Sequence, residues 1–419
     1  MSNFTSNTQV IVYPFTRQLQ GAEIVVGRPD IGAFFAVPAY AVELLDALAQ
    51  GKTVGEAQDL HREQYGESPD LPEFLDLLER KGIVRPKTRA VTIPASPRAV
   101  IAKARRYHFQ QISPATAQRL FSRPVLLVYR VLIALALGAV AVNPALLPDR
   151  NALYFPEHRF FYALSLVIIG CSAVFLHEMG HLLAAKALGV NARLSISHRL
   201  WMIVAETDLT GLWSVPKHKR YFPMIAGPLI DMVSASILIL ILFTAGAGWL
   251  HLGPIASRLL PAVLFGYLMR LLWQFFFFVR TDVYYLVATF FDCKSLLKDT
   301  EMFLRGQLAR VFPKISYTDQ SAIPEAERKV IHAYSLVWLF GRGLAFGTLF
   351  FVTIPVSLKY IFGVHSSLSA GFQNHPADFL DSVAFSILSL APLCGGLWLW
   401  VRSMVRSRSG GAHASTSPN

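Results

Sequence analysis

Six long apolar stretches constrain this chain more than any other feature of its sequence: residues 124 to 145, 161 to 188, 222 to 250, 259 to 279, 333 to 357 and 380 to 401. Each reaches the roughly 20 residues a helix needs to cross the hydrocarbon core of a bilayer. No water is present there to satisfy free backbone N–H and C=O groups, so a spanning segment is either a helix or part of a closed barrel, and stretches of this length fit helices. A hydrophobic content of 53% and a mean hydropathy of +0.42 are too apolar for an ordinary soluble protein. The expected fold class is mostly α, a polytopic helical membrane protein with about six transmembrane helices, with room in 419 residues for a further small domain.

A net charge of +12 could suggest nucleic acid, but in a membrane protein basic residues first report topology through their excess in cytoplasmic loops. Lys103, Arg105, Arg106, Arg119 and Arg123 precede the first span, and Lys217, Lys219 and Arg220 precede the third. Lys294, Lys298, Arg305, Arg310 and Lys314 follow the fourth, and Arg402, Arg406 and Arg408 follow the last. Six spans put all of these on one side and leave the loops near 146 to 158, 251 to 257 and 359 to 378, poorer in Lys and Arg, on the other. The first 120 residues show no secretory signal pattern, so the N-terminal domain is expected in the cytoplasm. Cys171, Cys293 and Cys394 are odd in number, widely spaced and free of any CxxC pair, which argues against a disulfide framework or a cysteine zinc site.

Residues 1 to 88 form the expected small α+β domain. Within it, 22 to 88 read as a winged-helix unit with two short strands, Glu23 to Gly27 and Phe34 to Val37, followed by helices. Ala41, Leu44, Leu45 and Leu48 fall at helical spacing, and Thr53 with Glu56 forms a capping box. Asp70 and Glu73 repeat that cue ahead of Phe74, Leu75, Leu77 and Leu78, and Gly82 ends the helix before Ile83 and Val84. Residues 89 to 122 are a linker whose basic amphipathic part, from 99, suits the anionic inner leaflet. A core at 123 to 302 comes next, then 303 to 404 with a cytoplasmic loop and two further spans, and a Ser- and Gly-rich tail at 405 to 419 expected to be disordered.

Between the second and third spans, residues 192 to 209 alternate around Leu200, Met202, Val204 and Thr207, as a strand or hairpin does. Such a strand could hold an extended substrate by main-chain hydrogen bonds, or simply connect two helices.

The second span contains His177-Glu178-Met179-Gly180-His181, a complete HExxH. On a helix, histidines four apart share a face and can bind one zinc ion, while the glutamate serves as general base for the activated water. An isolated histidine on an apolar helix is more often a hydrogen-bonded core residue. Here two imidazoles and a carboxylate in one apolar span would cost several kcal/mol unless paired or bound to metal, which favours function.

A catalytic zinc site takes three protein ligands and keeps one position for water. The best third candidate is Asp282, which follows the fourth span and returns to the same side as the histidines; its alternative reading is a helix N-cap. Asp231, in Ala226-Gly227-Pro228-Leu229-Ile230-Asp231, is another costly buried carboxylate. It either supports a zinc histidine or contacts substrate, or it caps a helix broken at Gly227 and Pro228, where the backbone can kink and approach closely. His198 and His218 lie in the connection and are weaker candidates.

The HExxH in one span, Gly-Pro opening a later one and a distal Asp at the end of the next resemble the site-2 protease family of intramembrane zinc metalloproteases, over roughly residues 120 to 300. The resemblance implies one Zn2+ per chain on His177, His181 and Asp282, with Glu178 as the base. Val283 stands after Asp282, where the family often has Gly. The Arg280-Thr281-Asp282 setting looks like the peptide zinc metalloprotease branch, and residues 22 to 88 look like the PqqD-type winged helix that grips leader peptides. These likenesses imply a zinc metalloendopeptidase in a bacterial cytoplasmic membrane that matures a ribosomally made precursor peptide beside an exporter. The alternative is a non-catalytic membrane peptide receptor or export partner with a structural zinc. A DNA-binding role is disfavoured because the N-terminal domain is close to charge-balanced.

Overall fold

The computed structural model of this protein describes residues 4–20, 23–28, 31, 33–66, 70–87, 109, 111–199, 202–293, 295–312 and 323–412. Its contacts form two compact units. One comprises Met1–Gln118, Leu182–Leu194 and Thr207–Pro223, and the other Arg119–His181, Ser195–Glu206 and Met224–Asn419.

In the first unit, β2 (Thr16–Gln20), β3 (Glu23–Arg28) and β4 (Ala33–Pro38) pair antiparallel in that order, with Val25 opposite Gln18 on one side and Ala36 on the other. A separate pair joins β1 (Val10–Val12) to β5 (Val84–Pro86). The two expected strands are β3 and β4. The other three are short or, in β2, mostly polar, so they carry little of the apolar alternation that reveals a strand.

Pro38 opens α1 (Ala39–Ala49), which buries Ala41, Val42, Leu44, Leu45 and Leu48 at the expected spacing. Thr53 and Glu56 make the reciprocal capping box of α2 (Val54–Tyr65). Asp70 accepts from the Glu73 N–H at 3.2 Å to start α3 (Leu71–Arg80), and Gly82, at φ +75°, turns the chain into β5. Leu44, Leu45, Leu48, Leu71, Leu75, Leu78 and Ile83 close one apolar core. Each such buried side chain contributes about 1.5–3 kcal/mol.

Arg220, expected as a basic topology marker, is instead almost fully buried. Its guanidinium donates to the carbonyls of Val215 and Trp213 and to Gln20 Oε1 at 2.8, 3.4 and 3.3 Å, and lies 4.7 Å over the Trp213 ring. Gln18 also donates to the Ser214 carbonyl at 3.1 Å. Strand β2 is thereby tied to the 3-10 turn Thr210–Ser214. The short helix α4 (Pro114–Leu120) is the described part of the basic amphipathic segment; Lys103, Arg105 and Arg106, with the linker from 88, lie outside the described residues.

The protein is mostly helical, and among the described residues six helices are long and apolar enough to cross a membrane: Pro114–Val142, Arg159–Ala187, Lys217–Gly246, Pro254–Trp273, Glu327–Ser369 and Pro376–Trp398. These are compatible with a multi-pass membrane protein. They include α5 (Arg123–Val142), α6 (Arg159–Ala187), α7 (Lys217–Gly246) and α8 (Pro254–Trp273). Helix α6 is followed by the paired strands β6 (Arg193–Arg199) and β7 (Met202–Asp208), where a hairpin was expected. Two short helices, α9 (Asp282–Phe290) and α10 (Leu296–Ala309), follow α8.

Three boundaries differ from expectation. Helix α8 ends at Trp273, so Phe275–Phe278 leave the helix that their hydrophobicity suggested they would continue. In the fifth span, α11 (Glu325–Thr348) runs through a π-turn at Leu349–Thr353 into α12 (Ile354–Ser369) and occupies much of the expected loop at 359 to 378. Pro355 lacks the N–H that would close the preceding turn, and the wider turn accommodates this. The last helix, α13 (Pro376–Ala412), continues past 405 into the expected tail, while 413–419 lie outside the described residues.

Small side chains bring the spans of the second unit together, with Ala136 and Ala139 on α5, Ala173 on α6 and Ala235 on α7 packed around Leu264 and Tyr267 of α8. Helix α6 is capped by another helix. The Asp381 carboxylate of α13 accepts from the backbone N–H groups of Arg159 and Phe160 at 2.9 and 3.1 Å, satisfying donors that a helix start leaves free. The Arg159 side chain meanwhile donates to Ser367 and Ser382.

Candidate metal centre

His177 and His181, one turn apart on α6, are both buried and face α7 at Gly227. A Cβ on Gly227 would lie 2.6 Å from His177 Nε2 and closer still to His181 Nε2, so only glycine lets this backbone pass beneath both rings. One turn further along α7, Asp231 Oδ2 stands 2.7 Å from His177 Nδ1. A carboxylate there makes Nδ1 the protonated nitrogen and leaves the Nε2 lone pair pointing to the opposite side. Helix α7 continues unbroken through Gly227 and Pro228, so Asp231 caps no broken helix. Of the alternatives for Asp231, the geometry favours the partner of a histidine.

Asp282 comes from the start of α9. Thr281, not Asp282, is the N-cap: its hydroxyl accepts from the Tyr284 N–H at 3.3 Å and donates to the Gln274 carbonyl at 3.1 Å. Asp282 is thus free to face the histidines, with Oδ2 3.2 Å from His177 Nε2 and Oδ1 3.3 Å from His181 Nε2. Among the described residues, His177, His181 and Asp282 place their donor atoms within 4.8 Å of one another.

This donor set fits a divalent cation. The two Nε2 atoms are 3.2 Å apart and both face a carboxylate. With Nδ1 of His177 donating to Asp231, its Nε2 can only accept, so acceptor faces acceptor unless a cation or an added proton lies between them. Two imidazoles and one carboxylate form a set that zinc accepts. Glu178 is half-buried on α6 beside His177. His218 is exposed at the start of α7, and the side chain of His198 lies outside the described residues.

Sequence reasoning missed three parts of the surroundings. Arg270 of α8 places Nη2 3.0 Å from Asp231 Oδ1, a charge pair against an almost fully buried carboxylate. Gln274 donates to Asp282 Oδ2 at 2.9 Å and accepts from the Asp282 N–H at 3.2 Å. The third part is α11, which grips the segment between Gln274 and Asp282. Tyr334 donates to the Phe277 carbonyl at 2.8 Å, and the Arg342 guanidinium sits 4.6 Å over the Phe278 ring. Gly341 lies so close to this segment that a Cβ would be 2.7 Å from the Phe277 nitrogen. Arg270 was detectable, since a cation in an apolar span invites the question asked of Asp231; Gln274 and the fifth-span clamp depend on tertiary contacts with no local signature.

Comparison of the chain with protein-family models, curated proteins and solved structures yields no match.

Proposed function

We propose that this protein is an intramembrane zinc metallopeptidase of the kind represented by the site-2 proteases, cutting a peptide bond at or within the bilayer. The observation that carries this reading is the convergence of His177, His181 and Asp282 within 4.8 Å, with Asp231 directing the Nε2 lone pair of His177 toward the other two. A bound zinc ion supplies Lewis acidity, polarising the scissile carbonyl and lowering the pKa of a water to about 7. The Glu178 carboxylate takes the proton from the attacking water and returns it to the leaving amine. Asp231 keeps His177 in one tautomer throughout, and the β6–β7 strands offer main-chain groups to an extended substrate.

In this reading the first unit contains the peptide-capturing domain, similar to PqqD, for a ribosomally made precursor. It lies on the cytoplasmic side, as the basic segments suggest. The HExxH glutamate favours the enzyme over the alternative of a peptide receptor with structural zinc, which has no need of a base.

The test is zinc per chain for the detergent-purified wild type, His177→Ala and Asp282→Ala, combined with peptide cleavage by wild type and Glu178→Gln. We expect about one zinc in the wild type and in Glu178→Gln, little in the two ligand variants, and cleavage reduced by about a hundredfold or more in Glu178→Gln. A zinc-replete wild type without metal sinks the metallopeptidase. A metal-loaded protein whose cleavage is indifferent to Glu178→Gln leaves the receptor as the better description.

A further inference from the structure

Arg270 and Gln274 stand four residues apart at the end of α8, with Gln274 itself in helical conformation at φ −58°. They therefore project from one side of the helix. Each reaches a different carboxylate of the metal centre: Arg270 contacts Asp231 Oδ1, leaving Oδ2 against His177, and Gln274 contacts Asp282 Oδ2. We propose that these two residues are the positioning residues of the centre, and that Gln274 fixes the rotation of the Asp282 carboxylate by holding Oδ2 while both oxygens face the histidines.

The amide of Gln274 uses both of its ends on a single residue. Its oxygen takes the Asp282 N–H and its nitrogen gives to the Asp282 side chain, at 3.2 and 2.9 Å. An amide that served only to terminate α8 or start α9 would need the backbone contact alone. The second bond fixes the carboxylate's rotation and so how its two oxygens face a cation. Gln274 is buried, so water does not readily substitute for either bond. Arg270 acts on Asp231 by charge: the carboxylate is 1% exposed and its Oδ1 lies 3.0 Å from the guanidinium, an ion pair without hydrogen-bond geometry. A carboxylate so buried, if left without a cationic partner, would turn or recruit another donor. One end of one helix thus sets the orientation of two carboxylates that approach the histidines from different helices. Partners of this kind typically govern metal affinity by about 10–100-fold.

The inference rests on the metal-centre reading, and the experiment separates the two. Full-length protein in detergent is stripped with chelator and titrated with Co2+ while its visible spectrum is recorded, and zinc affinity is measured by competition. We expect wild type to give the intense visible bands of a four-coordinate cobalt centre. Gln274→Met should bind about 10–100-fold more weakly, with altered visible bands as Asp282 loses its fixed rotation. Arg270→Met should lose affinity similarly, and Arg270→Lys should recover most of it. Gln274→Glu, which keeps the acceptor for the Asp282 N–H but loses the donor, should weaken binding in the same sense and serves if the Met variant does not purify. Thr281→Val removes the cap of α9 and the hydroxyl's bond to the Gln274 main-chain carbonyl but keeps the side-chain amide, and should keep the wild-type spectrum. Wild-type affinity and spectrum in both Gln274 variants, or an equal loss in Thr281→Val, overturns the positioning role. A wild type that takes up neither Co2+ nor zinc overturns the metal-centre reading itself, and the inference with it.

Discussion

The N-terminal domain closes on a core of leucines, valines and an isoleucine, whereas the helical unit also buries a polar cluster of His177, His181, Asp231 and Gln274. Many large apolar residues of the spans, such as Leu127, Ile168, Phe351 and Phe362, lie on the exposed faces of their helices. The domain is held mainly by an apolar core, while the helical unit buries a hydrogen-bonded polar cluster alongside its apolar contacts. The two regions therefore fail differently when a buried residue is changed. Loss of a leucine weakens one cooperative apolar core. A small change near the cluster disturbs geometry that hydrogen bonds hold, with little change in apolar burial.

Gly227→Ala should separate these regions most sharply. Its new methyl would occupy the space of the two Nε2 atoms, so both rings must move. We expect zinc affinity to fall by about a hundredfold or more, while amides of α1, α2 and α3 exchange hydrogen as in wild type. Near-normal zinc affinity in this variant would show that the helices separate cheaply and that the close approach is not required.

Leu45→Ala is the converse test. Leu45 is fully buried in the leucine core, and its truncation should cost about 2–5 kcal/mol. Hydrogen exchange in the protected amides of α1 to α3 should accelerate by about thirtyfold or more, with zinc per chain unchanged. A parallel loss of zinc would break the comparison, tying the metal centre to the stability of the domain.

The legibility of the two regions in sequence follows the same division. The long apolar helices were visible because twenty apolar residues in a row have few other uses, α1 and α3 because their leucines repeat at helical spacing, and α2 because Thr53 and Glu56 form its capping box. His177, His181, Asp231 and Asp282 were candidates because ionisable groups in or beside apolar segments carry a cost. Their grouping was expected from the order of the spans and the family resemblance, but the means of it, a helix crossing at Gly227 and a chain reversal after Gln274, left no local signature. The sheet was half legible: β3 and β4 bury apolar residues, whereas the polar β2 pairs with β3 through its backbone. The α8 boundary was misplaced because four phenylalanines look like more of the span, yet they pack as an irregular segment gripped by α11.

The smallest expected effect concerns the capping box of α2, where local sequence alone determines local structure. The Glu56 carboxyl is lowered below its usual value by hydrogen bonds from the Thr53 backbone and then its side chain. Its folded pKa therefore lies below its unfolded one. The contribution is fully present above the unfolded value of about 4.3 and disappears as pH falls through the folded value. Thr53→Ala removes the side-chain half of the box and should speed exchange in α2 by about fivefold at neutral pH, without affecting α3 or zinc content. Comparing variant with wild type at each pH cancels intrinsic exchange rates, so the pH dependence of their ratio is the diagnostic. A ratio that shrinks on acidification fits a box held by an ionised Glu56, whereas a constant ratio assigns the effect to the Thr53 hydroxyl alone. A difference spreading into α3 would mean that even this surface cap is felt throughout the leucine core, and that the domain unfolds as a single unit.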